Sequence, residues 1–310
     1  MKTTLSALLL PLIASANWQP LASLPAGNGG FACAFLDHKL IVAGGTNWSN
    51  DTKHWLDVIW QYDPAANKWS ALGKLPEPRA YGTSAVVSGK LMIAGGSDGE
   101  KALASLISID SKGTIRAEGE LKAGVVLSCG AAINQRLFIA GGGASASDLS
   151  SLRSQVVEFE NGVVVTATEL EGPGFGTATA AAANGSVFIF GGARFDAAEQ
   201  VKNLDIVRML PSGRTSKPLP APIRGITAIA LTDRLIYLAG GYPNDETGFT
   251  DQAWVFDAAK ESFFPARPLP IKSMVHLVSD GEFVYCLGGE DKKKHRSDAM
   301  WRIPVGELKP

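Results

Sequence analysis

A short apolar run ending in a glycine pair occurs six times in this chain. The copies are LIVAGG (Gly44, Gly45), LMIAGG (Gly95, Gly96), LFIAGG (Gly141, Gly142), VFIFGG (Gly191, Gly192), LIYLAGG (Gly240, Gly241) and VYCLGG (Gly288, Gly289). Successive first glycines are 51, 46, 50, 49 and 48 residues apart. Self-similarity at so constant a period means one supersecondary unit used repeatedly. It therefore overrides the two domains that 310 residues would otherwise suggest. Each run reads as a buried strand that stops where the backbone needs a conformation or a close approach only glycine allows. The 34 glycines and 17 prolines form no low-complexity tract, so they punctuate many short strands, and the class is all-β.

Two further registers define the unit. After the glycine pair comes an Asp with a Trp three residues later, at Asp57 and Trp60, Asp251 and Trp254, and Asp298 and Trp301. Then comes an aromatic followed by Leu-Pro: Trp69 with Leu75 and Pro76, and Phe263 with Leu269 and Pro270. A third copy, Trp18 with Leu24 and Pro25, precedes the first glycine pair and has no unit of its own. The C-terminus, conversely, stops near Ile303 at the end of a third strand. The two ends are expected to complete one unit together, which leaves no open sheet edge.

These residues resemble kelch repeats. The resemblance implies a six-bladed kelch β-propeller over residues 17–303, closed by the N-terminal strand in the last blade, with residues 17–310 as a single domain. The four strands of a blade would be an inner strand a, such as residues 81–87, strand b ending in the glycine pair, strand c with the Asp-x-x-Trp, and outer strand d with the aromatic and Leu-Pro.

Charge narrows the partners. With 29 Lys+Arg against 30 Asp+Glu, the net charge of −1 offers no attraction to nucleic acid or to an anionic membrane surface. Residues 1–16 combine Lys2, an apolar stretch over 5–13 and Ala14-Ser15-Ala16, the pattern of a secretory signal peptide. Cleavage before Asn17 and export are expected, to the periplasm in a bacterium. No later segment reaches about 18 apolar residues, so no membrane partner is expected after cleavage. Cys33, Cys129 and Cys286 are widely spaced inside apolar runs and read as small buried hydrophobes, with a disulfide between two of them as the alternative.

In an up-and-down blade, the start of strand a and the end of strand b lie on the same face of the ring. Sixteen residues before each first glycine stand Asn28, Arg79, Val125, Phe175, Arg224 and Lys272, three of the six cationic. One residue past each pair stand Thr46, Ser97, Gly143, Ala193, Tyr242 and Glu290, with one carboxylate among them. Several cations and one acid at a channel mouth suit a small anion, because a guanidinium grips a carboxylate through two parallel hydrogen bonds. Arginines at the first register can equally tie adjacent blades together. His38, His54, His276 and His295 show no metal-ligand spacing, and no metal site is expected; His38 reads as part of an exposed a–b turn. There is no GxSxG elbow, HExxH, Walker loop or dinucleotide fingerprint.

Asn28 to Cys33, the loop over 46–56 with Asn47, Trp48, Lys53, His54 and Trp55, and Pro78 to Gly82 resemble the cyclically permuted branch of the sialic-acid mutarotase (N-acetylneuraminate epimerase) family. In that family a Glu directly after a glycine pair, with an Arg six residues later, is assigned to the active site, and Glu290 and Arg296 match. Phe175 departs from the pattern, since an arginine is expected at that position. The implied chemistry interconverts anomers of a small acidic sugar by opening and reclosing its hemiketal, with no cofactor. Glu290 would be the base, and Arg296 would hold the substrate carboxylate or stabilise developing charge. Arg79, Tyr81, Arg224, Asn47 and Lys272 would bind substrate; the acid is Tyr81, Tyr242 or water. The resemblance also allows a homodimer. The competing expectation is a non-catalytic propeller that binds a glycan or a protein, because propellers host both.

Overall fold

The computed structural model describes residues 17–196 and 200–310; the expected signal peptide lies outside the described residues. The chain is all-β and forms a six-bladed propeller. Blade 1 shows the pattern: strand a Ala32–Leu36, b Lys39–Ala43, c Val58–Asp63 and d Lys68–Lys74 pair antiparallel in that order. The a–b connection is a two-residue turn at Asp37 and His38, both with positive φ. Each inner strand packs against the next around the ring, and that of blade 6 against that of blade 1.

Chain closure follows the outer-strand motif. Gln19–Pro20 pairs antiparallel with Met300–Pro304, Gln19 opposite Arg302 and Pro20 opposite Trp301. The same contact then joins the two sequence registers in three blades. The Leu75 N–H donates to the Asp57 carbonyl, Leu269 to Asp251, and Leu24 to Asp298, at 2.6, 2.9 and 2.8 Å. In the last pair, the two partners come from opposite ends of the chain.

Strand b is the most deeply buried strand because it has a neighbouring blade on each face. Ile41, Leu91, Val187, Ile236 and Val284 have no exposed surface. Among the described residues the apolar side chains form six clusters, one between each adjacent pair of blades. Trimming one such side chain to Ala costs about 2–5 kcal/mol. Cys33, half-buried, and Cys129 and Cys286, buried, are free thiols, and loss of solvation pushes those of Cys33 and Cys129 up to about 12, in keeping with apolar packing and not with a disulfide. Blade 4 differs, having three strands, Thr179–Ala183, Ser186–Phe190 and Val207–Leu210. Its outer segment contains Pro211, Pro218 and Pro220, which lack the N–H donors a ladder needs.

The glycine pairs join blade to blade. In every pair both residues have positive φ, from 59° to 104°. This turns the second N–H toward the next blade, where it donates to the carbonyl of Arg79, Val125, Phe175, Ile223, Ser273 or Asn28 in ring order. These six carbonyls correct the fixed count of sixteen. The interval is 17 residues in blade 5 (Gly240 to Ile223) and 15 in blade 6 (Gly288 to Ser273). Arg224 and Lys272 therefore do not share the register of Arg79, and one cation, not three, occupies it.

Candidate functional site

The turns after the glycine pairs and the starts of the inner strands surround a cavity of about 720 Å³ on one face of the ring. Its rim is set by successive backbone hydrogen bonds. Tyr81 N–H donates to Gly30, Leu127 to Tyr81, Thr177 to Leu127 and Gly225 to Thr177, at 2.8–3.1 Å. Tyr81, Leu127 and Thr177 hold φ near +60° to do this, a conformation costing non-glycine residues about 1–2 kcal/mol each. Blade 6 breaks the series, because a bulge between Met274 and His276 shifts its register. The imidazole of His276 takes the place of the missing carbonyl: its Nε2 accepts the Gly30 N–H at 3.0 Å, and the ring stacks on Phe31 at 3.9 Å. Burial, and then the charge of Arg296, depress the His276 pKa to about 4, so it stays neutral at physiological pH.

Glu290 and Arg296 meet on this rim, with Arg296 Nη1 and Glu290 Oε2 2.6 Å apart. The Arg296 side chain is 5% exposed and that of Glu290 is 30% exposed, so the carboxylate faces the cavity and the guanidinium lies behind it. Arg296 Nη2 donates to the Tyr81 hydroxyl at 3.0 Å, and Nε to Thr46 Oγ1 at 3.3 Å. A Cβ on Gly29 would stand 2.7 Å from Arg296 Cδ, so a side chain there would displace the arginine. Thr46 Oγ1 donates its single proton to the Gly29 carbonyl, which makes it the acceptor of the Tyr81 hydroxyl at 3.0 Å. Burial pushes the Tyr81 phenol up, but Arg296 and Lys53 outweigh it and hold its pKa below the ordinary value. The Lys53 ammonium sits 4.6 Å from the centre of the Tyr81 ring. An ion pair between carboxylate and guanidinium, and hydrogen bonds from the guanidinium to phenol and threonine hydroxyl, thus form one continuous polar chain beside open space.

Of the residues singled out in the sequence, Glu290, Arg296, Tyr81 and Arg224 line this cavity. Arg79, Lys272 and Asn47 lie outside the lining. Arg79 is buried and ties blades together: Nη1 donates to the Gly95 and Ser105 carbonyls, and Nη2 to Ser105 Oγ and Glu77. Lys272 is exposed just outside the inner strand. The Asn47 side chain accepts the Trp48 N–H, while Trp48 itself faces the cavity. Phe175, where an arginine was expected, is covered by a guanidinium from another strand, with Arg208 4.4 Å above its ring. Sequence reasoning missed His276 and Arg194. The histidine's partner is 246 residues away and left no local signal. Arg194 follows Ala193, one residue beyond the register that directly follows the glycine pair.

The Kelch motif matches residues 28–76. Kelch-like protein 31 of Homo sapiens is 33% identical over 93 residues, 29% of this chain and 15% of that protein. Alpha-scruin of Limulus polyphemus is 27% identical over 157 residues, 48% of this chain and 17% of its own length. The chain thus spans less than a fifth of either of these curated relatives. A solved structure of YjhT superposes with a TM-score of 0.68 at 17% identity, covering 79% of this chain and 86% of that one, a likeness of fold.

Proposed function

We propose that this kelch-motif propeller is an exported mutarotase that interconverts the anomers of an acidic sugar such as N-acetylneuraminate. The observation that carries the reading is the Glu290–Arg296–Tyr81 chain on the wall of a sugar-sized cavity. Charge supports it. Among the described residues the cavity lining contains Lys53, Arg194, Arg224 and Arg296 but one carboxylate, Glu290, so three of these cations remain after the ion pair and favour an anionic ligand.

The reaction follows from these groups. Glu290 takes the anomeric hydroxyl proton, the bond from the anomeric carbon to the ring oxygen breaks, and that oxygen takes the Tyr81 proton, replacing Thr46 Oγ1 as its acceptor. Arg296 and Lys53 stabilise the resulting phenolate. Rotation of the open-chain carbonyl and the same transfers in reverse close the ring on the opposite face, returning both protons. Tyr81 suits the acid role better than Tyr242, whose hydroxyl binds Asp245, which raises its pKa.

Saturation-transfer NMR on the anomers of N-acetylneuraminate, with and without protein, tests the activity. Accelerated exchange is expected. A spontaneous rate unchanged for several acidic sugars would leave the non-catalytic glycan-binding reading in its place. Export is tested by N-terminal sequencing of protein from its host: a start at or near Asn17 is expected, and residues 1–16 retained on a cytoplasmic protein would refute it.

A further inference from the structure

The cations left unpaired in the cavity are not spread evenly. Arg194 lies on the hairpin strand Ala193–Phe195 after the glycine pair of blade 4, and Arg224 lies at the start of blade 5. In a closed ring of six, blade 4 stands across the channel from blade 1, which holds Thr46, and blade 5 from blade 2, which holds Tyr81.

Arg224 is held in place by neutral groups. Asn203, on the return strand Val201–Asn203, gives its Nδ2 to the carbonyls of Tyr242 and Pro243 at 2.8 and 2.6 Å. This fixes the amide so that Oδ1 faces Arg224, whose Nη1 donates to it at 3.1 Å. The Tyr242 ring lies 4.4 Å beneath the guanidinium. Among the described residues no carboxylate pairs with Arg224 or Arg194, although both line the cavity. A structural arginine in this chain looks different: both terminal nitrogens of Arg79 are taken up by the Gly95 and Ser105 carbonyls, Ser105 Oγ and the Glu77 carboxylate. A guanidinium that lines a cavity, oriented by an amide and an aromatic face and paired with no carboxylate among the described residues, is preorganised for an oxyanion from outside the protein.

We propose that Arg194 and Arg224 form a second anion subsite, which takes a phosphate or carboxylate at the end of the ligand remote from its anomeric carbon. The proposal rests on the acidic-sugar reading in one respect, the orientation. In a 2-keto sugar acid the carboxylate is bonded to the anomeric carbon where Glu290 would act, so it stays at the Arg296 wall. The cations across the channel then meet the other end of the molecule. The favoured ligand is a sugar acid with two anionic groups, one at each end.

Calorimetric titration with N-acetylneuraminate and with its 9-phosphate tests this in wild type, Arg224→Gln, Arg194→Gln and Asn203→Ala. The 9-phosphate is expected to bind wild type about tenfold more tightly than the parent sugar, and the ratio to fall toward one in Arg224→Gln. Asn203→Ala keeps the charge but removes its support, and should give an intermediate ratio. Equal affinities in wild type, or a ratio unchanged in both arginine variants, would overturn the subsite while leaving the acidic-sugar reading in force. If neither sugar binds, that reading fails and inorganic phosphate decides the subsite. Saturable phosphate binding lost in Arg224→Gln upholds it, and no saturable binding rejects it. Circular dichroism and the melting temperature of each variant separate lost binding from lost folding.

Discussion

On the wall built by blades 6, 1 and 2, each polar group answers another: Glu290 answers Arg296, which also reaches Tyr81 and Thr46. Across the channel, on blades 4 and 5, Arg224 is supported by an amide and a tyrosine face, and no acid answers it among the described residues. The same residue type therefore serves two physical purposes. A paired, desolvated arginine fixes the ionisation of its neighbours and suits proton transfer. An unpaired, preorganised one keeps its binding capacity for a ligand. Substitutions on the first wall should therefore change rate, and those on the second should change affinity.

The largest effect should come from Glu290→Gln, which keeps shape and hydrogen bonding but removes the proton acceptor. The anomerisation rate should fall by about 10²-fold or more with the circular dichroism spectrum unchanged. An active wild type matched by an equally active Glu290→Gln would move the base elsewhere. Arg296→Ala should impair rate and binding together, since it leaves Glu290 and Tyr81 without their shared donor. Arg296→Lys should not restore it, because one ammonium cannot span carboxylate, phenol and threonine as the guanidinium does.

Tyr81→Phe comes next, with an expected loss of about 10–10²-fold in rate, measured by the same exchange experiment. A pH profile makes the role specific. An acid must be protonated to act, so activity in wild type should fall as pH rises through the Tyr81 pKa, which lies below the ordinary 10. The phenylalanine variant should lose that alkaline limb. If the limb persists unchanged in Tyr81→Phe, another group is the acid.

On the opposite wall Arg224→Gln should raise KM for the 9-phosphate about tenfold and leave its kcat within about twofold, the pattern of lost uniform binding, with KM for the parent sugar little changed. A fall in kcat with KM unchanged would place Arg224 in the chemistry and erase the contrast between the walls.

The fold was legible in the sequence because its determinants are local and repeated. Glycine pairs mark strand ends, and Asp-x-x-Trp and aromatic-Leu-Pro mark outer strands; the unmatched Trp18 motif foretold the closure seen between Gln19 and Arg302. The site was only partly legible. Counting a fixed interval assumes equal loops, and blades 5 and 6 depart from it by one residue in opposite directions, which put Arg224 and Lys272 in the wrong register. Arg79 held that register, yet its side chain turned into the blade interface, an outcome set by the Gly95 and Ser105 carbonyls that residue type does not reveal. The roles of Arg194 and Asn203 depend on a hairpin between the second and third strands of blade 4 whose pairing appears only in three dimensions.

The smallest effect expected concerns His276, which completes the rim within the first wall by joining blade 6 to blade 1. Its Nε2 accepts the Gly30 N–H, so a leucine of similar bulk should leave that buried donor unpaired, at a cost of about 1–3 kcal/mol. The melting temperature of His276→Leu should therefore fall by about 2–6 °C at pH 7. The dependence on pH distinguishes this from a simple packing defect. The folded pKa is about 4, against an ordinary value of 6.5, so between these values the unfolded chain binds a proton that the native state refuses. Wild type should lose this increment of stability as pH falls from 6.5 toward 4, whereas the leucine variant has no such group to titrate. The difference in melting temperature between the two proteins should accordingly shrink between pH 7 and pH 4.5. Thermal unfolding at both pH values checks it: a difference that stays constant or widens on acidification would mean that His276 is not the neutral acceptor that completes the rim.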